Sequence, residues 1–221
     1  KHRLAPPKTI KSFELNKENC IFIGLFLAEG HINASTITIT NNNENIRDFV
    51  KNYFNKLSIK WCENIRKNKA NGISTSIRGT SAVFCQFIRN LLGSGSANKF
   101  VPSEAFIGPE EFLIGILNGY FSGDGTIGKN SIEACSASSR LIEGINMLCS
   151  RLGIFGKVFT TQLKSNNLGT KNILPSHRLS IRAQWGKEFA KKIELLEENK
   201  NRKLHAINWN DSHRNFPTCN N

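Results

Sequence analysis

Apolar residues cluster in this chain in two nearly unbroken runs that stop in the same way. Phe22–Gly30 reads FIGLFLAEG and Leu117–Gly125 reads LNGYFSGDG; each closes on one carboxylate, Glu29 or Asp124, followed by glycine. An apolar run halted by glycine predicts a helix ending at the acid. Downstream of each run the pattern changes. Ile32–Thr40 (INASTITIT) alternates Ile37 and Ile39 with threonines, the period of a half-buried strand. Its counterpart, Thr126–Ser138, reads as a hairpin around Gly128–Asn130. Asn43–Leu57 places Ile46, Phe49, Val50, Tyr53, Phe54 and Leu57 on one helical face, and Ser139–Leu152 is its partner. Trp61–Arg66 with Gly72–Arg78, and Lys157–Leu163 with Arg178–Arg182, predict a second hairpin in each half. In these, Ile73, Ile77, Leu179 and Ile181 are expected to face the core. Helices over Thr80–Leu92 and Trp185–Glu197 close the two series.

One unit is therefore written twice. Asp124 follows Glu29 by 95 residues, and RLGI at Arg151–Ile154 follows KLSI at Lys56–Ile59 by the same 95. SIRA at Ser180–Ala183 follows SIRG at Ser76–Gly79 by 104, and RKL at Arg202–Leu204 follows NKF at Asn98–Phe100 by 104. The step from 95 to 104 predicts nine inserted residues within Lys164–Ser176. The expected fold is α+β, two αββαββα units related by a pseudo-twofold axis. Residues 1–104 make the N-terminal half and 105–208 the C-terminal half, linked across Pro102–Glu110. Residues 209–221 form a tail of little periodicity, expected to be disordered or loosely packed.

Small residues in the two apolar helices suggest how they pack. Gly24 and Ala28 are four apart, as are Gly115, Gly119 and Gly123. Such spacing lines one face and lets two backbones approach closely. Glycine costs about 1 kcal/mol relative to alanine inside a helix, so three in one helix point to close approach as their purpose. Parallel packing would bring Glu29 and Asp124 side by side. Adjacent carboxylates repel unless a cation lies between them, and the helix C-termini add partial negative charge. Oxygen donors of this kind, the Gly123 carbonyl included, suit Mg²⁺. The segment GDGTIG (Gly123–Gly128) has the spacing of a dinucleotide fingerprint, but it follows a helix and opens a strand, which excludes that reading.

Charge narrows the partner. Lys and Arg outnumber Asp and Glu by 30 to 17, giving +13 and a pI near 9.7. That excess favours a polyanion, nucleic acid first, and a metal-holding acid pair in such a protein points to phosphodiester chemistry. The longest apolar runs, about eight residues, are far too short to span a membrane, and no membrane partner is expected. Cys20, Cys62, Cys85, Cys135, Cys149 and Cys219 form no CxxC pair and are read as free thiols in a reducing, intracellular compartment. The 27 asparagines, with many Lys and Ile, suggest AT-rich codons. The chain begins at Lys1, not Met, shows no signal peptide, and is read as a processed or trimmed piece from which any targeting segment is missing.

The segments FIGLFLAEG and LNGYFSGDG resemble the nine-residue motif of the LAGLIDADG homing endonucleases, in the single-chain type with two copies. Glu29 stands where the first copy usually has Asp, which keeps the carboxylate. Leu27 and Ser122 stand at the motif's earlier Asp, which is not a metal ligand. The resemblance runs from about Asn19 to Lys203. It implies a central pair of motif helices, two saddle-shaped antiparallel sheets straddling double-stranded DNA, and Mg²⁺-dependent cleavage of both strands at a long asymmetric site by a monomer. Mn²⁺ or Ca²⁺ would substitute in binding, Ca²⁺ without turnover. It also implies an alternative, because some relatives act as maturases on host intron RNA, with or without nuclease activity. An intron-encoded protein of a mitochondrion or chloroplast would fit the AT-rich usage. The family uses a basic residue near each half-site, often in a K-x-x-P segment, and KFVP (Lys99–Pro102) fits. Lys203 follows Arg182 by 21 residues, as Lys99 follows Arg78, which makes it the expected partner. Glu29, Asp124, Lys99 and Lys203 are then the catalytic set, the lysines steadying scissile phosphates or polarising the attacking water. Lys200 and Arg202 lie nearby and compete for the second role.

A two-stranded ribbon fits the DNA major groove, and strand alternation lets one face pack while the other reads bases. Outward positions predicted to contact DNA are Ser74, Ser76 and Arg78 in one half and Arg178, Ser180 and Arg182 in the other. Asn33, Ser35, Thr38, Thr40, Arg66 and Asn68 extend the first set; Ser136, Ser138, Thr161, Lys164 and Lys171 extend the second. The segments RKNKANG (Arg66–Gly72) and KSNNLGTKN (Lys164–Asn172) are expected on phosphates. Because the halves differ here, the target should not be a perfect palindrome.

Overall fold

A computed structural model of the chain describes residues 12–68, 72–163 and 174–209. The N-terminal unit runs α1 (Lys17–Glu29), β1 (Gly30–Asn33), β2 (Thr36–Thr40), α2 (Glu44–Lys56), β3 (Lys60–Asn68), β4 (Gly72–Thr80) and α3 (Ala82–Leu92). After one 3-10 turn at Ser103–Phe106 the plan repeats. Its second copy is α4 (Glu110–Gly123), β5 (Thr126–Ile127), β6 (Ser131–Ser136), α5 (Ser139–Arg151), β7 (Lys157–Leu163), β8 (Leu174–Arg182) and α6 (Ala183–Lys192), followed by α7 (Glu198–Ala206). The α+β reading, two αββαββα units, holds.

Each unit forms one four-stranded antiparallel sheet, ordered β1-β2-β4-β3 and β5-β6-β8-β7. Alternation sets the faces. Ile37, Ile39 and Ile77 in one sheet, and Ile132, Ala134, Leu179 and Ile181 in the other, are buried beneath the helices. Polar side chains alternate with them on the opposite face. Helix starts are fixed locally: Asn16, Asn43, Ser81 and Ser138 each accept from a backbone amide three residues on. Such caps each contribute roughly 1 kcal/mol.

Four local expectations change. Ile32–Thr40 is not one strand but a hairpin, turning at Ala34, whose φ is +49. Ile73 is 55% exposed, not core, because the β3–β4 ribbon runs past the helices that cover Ile77. The helix expected over residues 185–197 ends at Lys192, and the chain continues extended before α7. Tertiary contacts explain that break. The Asn118 side chain accepts from the Glu194 amide (3.1 Å) and Ser122 Oγ from the Leu196 amide (2.8 Å), while Ile193 and Leu195 are buried. Trp209, where the tail was taken to begin, packs against Gly186 and the core.

Strand pairing also corrects the repeat. Ile37 pairs with Gly79 and Ile132 with Ile181. The first members of these pairs are 95 apart and the second members 102 apart. The SIRG–SIRA match is therefore displaced by two residues, and seven residues are added before β8, not nine.

Candidate catalytic centre and nucleic-acid interface

The centre is built by α1 and α4. A Cβ placed on Gly24 would lie 2.1 Å from the Ile116 carbonyl oxygen, and one on Gly119 would lie 2.1 Å from that of Ile21. No side chain fits at either position. Gly115 meets Cys20 and Gly123 meets Ala28. Residue pairs 95 apart thus meet along the whole seam, so the two helices run parallel and end together.

Glu29 is the last residue of α1 and Asp124 caps α4. A Cβ on Gly123 would sit 3.0 Å from Glu29 Cγ, which places the Glu29 side chain against the end of α4. Burial pushes the Glu29 carboxyl above its ordinary range; Lys200, an Asn41 hydrogen bond and Lys99 oppose it. Asp124 is pushed up to about 7, first by burial and then by the charge of Glu29, against the pull of Lys99 and Lys200. The pair is electrostatically loaded, the condition a cation relieves.

Two lysines meet the helix ends. Lys99 is only 6% exposed and donates to the carbonyls of Phe26 (2.9 Å) and Leu27 (3.0 Å). Burial pulls its ammonium down to about 8, opposed by Asp124 and Glu29. In the second half the matching group is Lys200, which donates to the carbonyls of Ser122 (2.8 Å) and Gly123 (2.9 Å). These cations satisfy carbonyls that a helix end leaves unpaired and offset its partial negative charge. Lys203, the expected partner, is exposed on α7, and Lys200, one turn earlier, is the lysine on the α4 carbonyls. The displaced repeat match accounts for two of the three residues between them: at the paired register the position matching Lys99 is Asn201, next to Lys200.

The donors present suit a hard divalent cation. Glu29, Asp124 and the Gly123 carbonyl offer oxygen only, and the described residues contain no cluster of three or more His, Cys, Asp or Glu. Two carboxylates completed by water and phosphate oxygens are the habit of Mg²⁺. Asn41, not singled out by the sequence, donates to Glu29 Oε1 (3.3 Å). Ser136, 95 residues on, instead accepts from the Ser138 amide (3.1 Å).

The sheet faces turned from the helices make the candidate nucleic-acid interface. Register puts Asn33, Thr38, Thr40, Arg66, Ser74, Ser76 and Arg78 there in the first half, with His31, Thr36, Lys60, Cys62 and Asn64 added. Ser35 lies in the β1–β2 turn. Thr161, Arg178, Ser180 and Arg182 take that face in the second half, with Lys157 and Phe159 added. Ser76 and Ser180 are on it but only 7% exposed, shielded by longer neighbours. Two serines are corrected. Ser136 pairs with His177 on the helix side, and Ser138 is the buried cap of α5, donating to the Lys99 carbonyl (2.8 Å). The outward β6 positions are instead Ser131, Glu133 and Cys135. Lys164, Lys171 and the Asn68 side chain lie outside the described residues. Arg78 and Arg178 each hold a buried Nε–H with no protein acceptor among the described residues.

Comparison with known proteins agrees with this fold. The family model described as "LAGLIDADG-like domain" matches residues 17–99 and again 111–194. The chain is 29% identical over 212 residues to DNA-directed RNA polymerase subunit Rpo1C of Methanocaldococcus jannaschii, covering 93% of this chain and 23% of that protein. It is 30% identical over 215 residues to a replication factor C small subunit of the same organism, covering 93% and 11%. The chain thus spans under a quarter of these relatives. Among solved structures, I-DmoI with DNA and Ca superposes with TM-score 0.62 at 14% identity, over 87% of this chain and 100% of that one. Other I-DmoI structures hold target DNA with Mn or with Mg. Full-length DUF199/WhiA of Thermatoga maritima matches with TM-score 0.56 at 11% identity, over 90% of this chain and 60% of that one. At these identities the likeness is one of fold.

Proposed function

The chain belongs to the LAGLIDADG-like domain family, as a single chain with two copies of the unit, and from that premise we propose that it is a site-specific, Mg²⁺-dependent double-strand DNA endonuclease. One observation carries the reading: a glycine-tight parallel helix pair ends in two half-buried carboxylates, with a lysine on the last carbonyls of each helix. That one ~215-residue stretch matches a small part of two proteins with unrelated names supports a module with its own activity.

Glu29 and Asp124 would hold the cation, with the Gly123 carbonyl beside them. A bound divalent ion would neutralise charge at the leaving oxygen and favour ionised water near the phosphate. The chain's own groups do the rest. Lys99 and Lys200 neutralise the helix ends and place positive charge beside the reacting phosphates. The two sheet faces seat the duplex, and Arg78, Arg178 and Arg182 supply bidentate donors for guanine edges. With a net charge of +13, affinity for any duplex should be large at low salt and fall steeply as salt rises.

A second reading, an RNA-binding maturase on the same frame, shares the basic surface. The test is cleavage of a plasmid library carrying randomised inserts, with Mg²⁺ and with EDTA. Linear product only with Mg²⁺ supports the nuclease. No cutting of any member, alongside tight binding to one structured RNA, overturns it in favour of the maturase.

A further inference from the structure

We propose that Glu133 is a specificity-determining residue that selects a cytosine in the half-site covered by the C-terminal sheet. The inference rests on the DNA-binding reading above and goes beyond it. Of the two carboxylates in the described strands, Glu63 points to the helix side, held by Arg47 (3.1 Å) and Lys51 (3.2 Å). Glu133 alone faces outward, opposite Ser180 on β8. A carboxylate on a face that meets phosphates is repelled by them, so its presence needs a compensating contact.

Its surroundings show what that contact is. Arg182 Nη2 lies 3.7 Å from Glu133 Oε1 and Arg178 Nη1 lies 4.0 Å from Oε2. Ser131 Oγ donates to Oε1 at 3.1 Å, which fixes the carboxylate's direction. Without DNA, the acid is balanced by two arginines. When both guanidiniums turn to guanines or phosphates, Glu133 is left charged and needs a new donor. In the major groove cytosine presents only its N4 amino group, whereas guanine N7 and O6 and thymine O4 are acceptors that would face a carboxylate, and adenine sets an N7 acceptor beside its N6 donor. The wrong base therefore leaves a charge unpaired, which is discrimination by repulsion as well as by attraction. The position 95 residues earlier holds Thr38, neutral and opposite Arg78, so the N-terminal half has no such filter.

The test selects bound duplexes from a randomised library in Ca²⁺, which requires no cutting, for the protein and for Glu133→Gln. The unaltered protein should enrich cytosine at one position in the C-terminal half-site. The amide, which suits adenine, should lose that preference by roughly tenfold in favour of adenine while other positions persist. Affinity for non-specific duplex should rise severalfold, since a negative charge has gone. Unchanged preferences in Glu133→Gln, or no cytosine in that half-site, overturn this inference alone. A protein that enriches no duplex at all overturns it together with the endonuclease reading.

Discussion

The two halves share a backbone plan and differ at the faces that would meet a ligand. At the seam they match closely: Gly24 faces α4 as Gly119 faces α1, and Lys99 caps one helix as Lys200 caps the other. On the sheets they diverge. The N-terminal outward face is neutral or basic, while the C-terminal one sets Glu133 between Arg178 and Arg182. Beneath the sheets, Glu63 with Arg47 and Lys51 in one half is replaced by Val158, Ile142 and Asn146 at the positions 95 residues on. Tight backbone packing tolerates no side chain where Gly24 meets Gly119, whereas an exposed strand face tolerates almost any. One chemistry can thus be kept at the centre while each half is free to read its own sequence.

The largest expected effect breaks the symmetric centre. Glu29→Gln and Asp124→Asn should each lower cleavage by about a thousandfold or more, with DNA affinity nearly kept. Single-turnover cleavage alongside filter binding checks this. Gly119→Ala should come next, forcing a methyl group into the Ile21 carbonyl. A loss of about 3 kcal/mol in urea unfolding is expected, because backbone cannot yield as a side chain can. The lysine assignment then separates two neighbours. Lys200→Met should slow cleavage by roughly tenfold or more, while Lys203→Met should leave it unchanged; the reverse outcome would restore the sequence match as the better guide.

A smaller effect sharpens the electrostatics. The Asp124 carboxyl is raised in the fold, to about 7. Its contribution to stability is therefore present below its ordinary range and is lost as pH rises through about 7. A divalent cation needs the ionised form, so it offsets that loss. Added Mg²⁺ should raise Tm by a few degrees at pH 8 and hardly at all at pH 5.5. Thermal melts with and without the metal give the answer, and an equal shift at both values would contradict the assigned pair.

Much of this was readable in the residues, and the failures have a common cause. Small residues every fourth position disclosed the parallel seam, because nothing else explains three glycines in one helix. The acids followed from where those helices stop. Lys203 was preferred to Lys200 because SIRG and SIRA align when slid by two residues along β8, which moves the expected position from Asn201, beside Lys200, to Lys203. A two-residue slide keeps every side chain on its own face, so alternation cannot detect it. The break after Lys192 was hidden for another reason. The residues there suit a helix, and Asn118 and Ser122, over 70 residues away, together with Asn201 on α7, hold them extended. Ser138 looked like a strand-face serine because a serine that ends a strand and one that caps a helix are the same letter.

Anomalous diffraction from manganese, in crystals of the chain grown with its selected DNA, tests the central claim most directly. The account predicts a peak held by both Glu29 and Asp124 at the joined ends of α1 and α4. Manganese bound elsewhere, or held by neither acid, would contradict it.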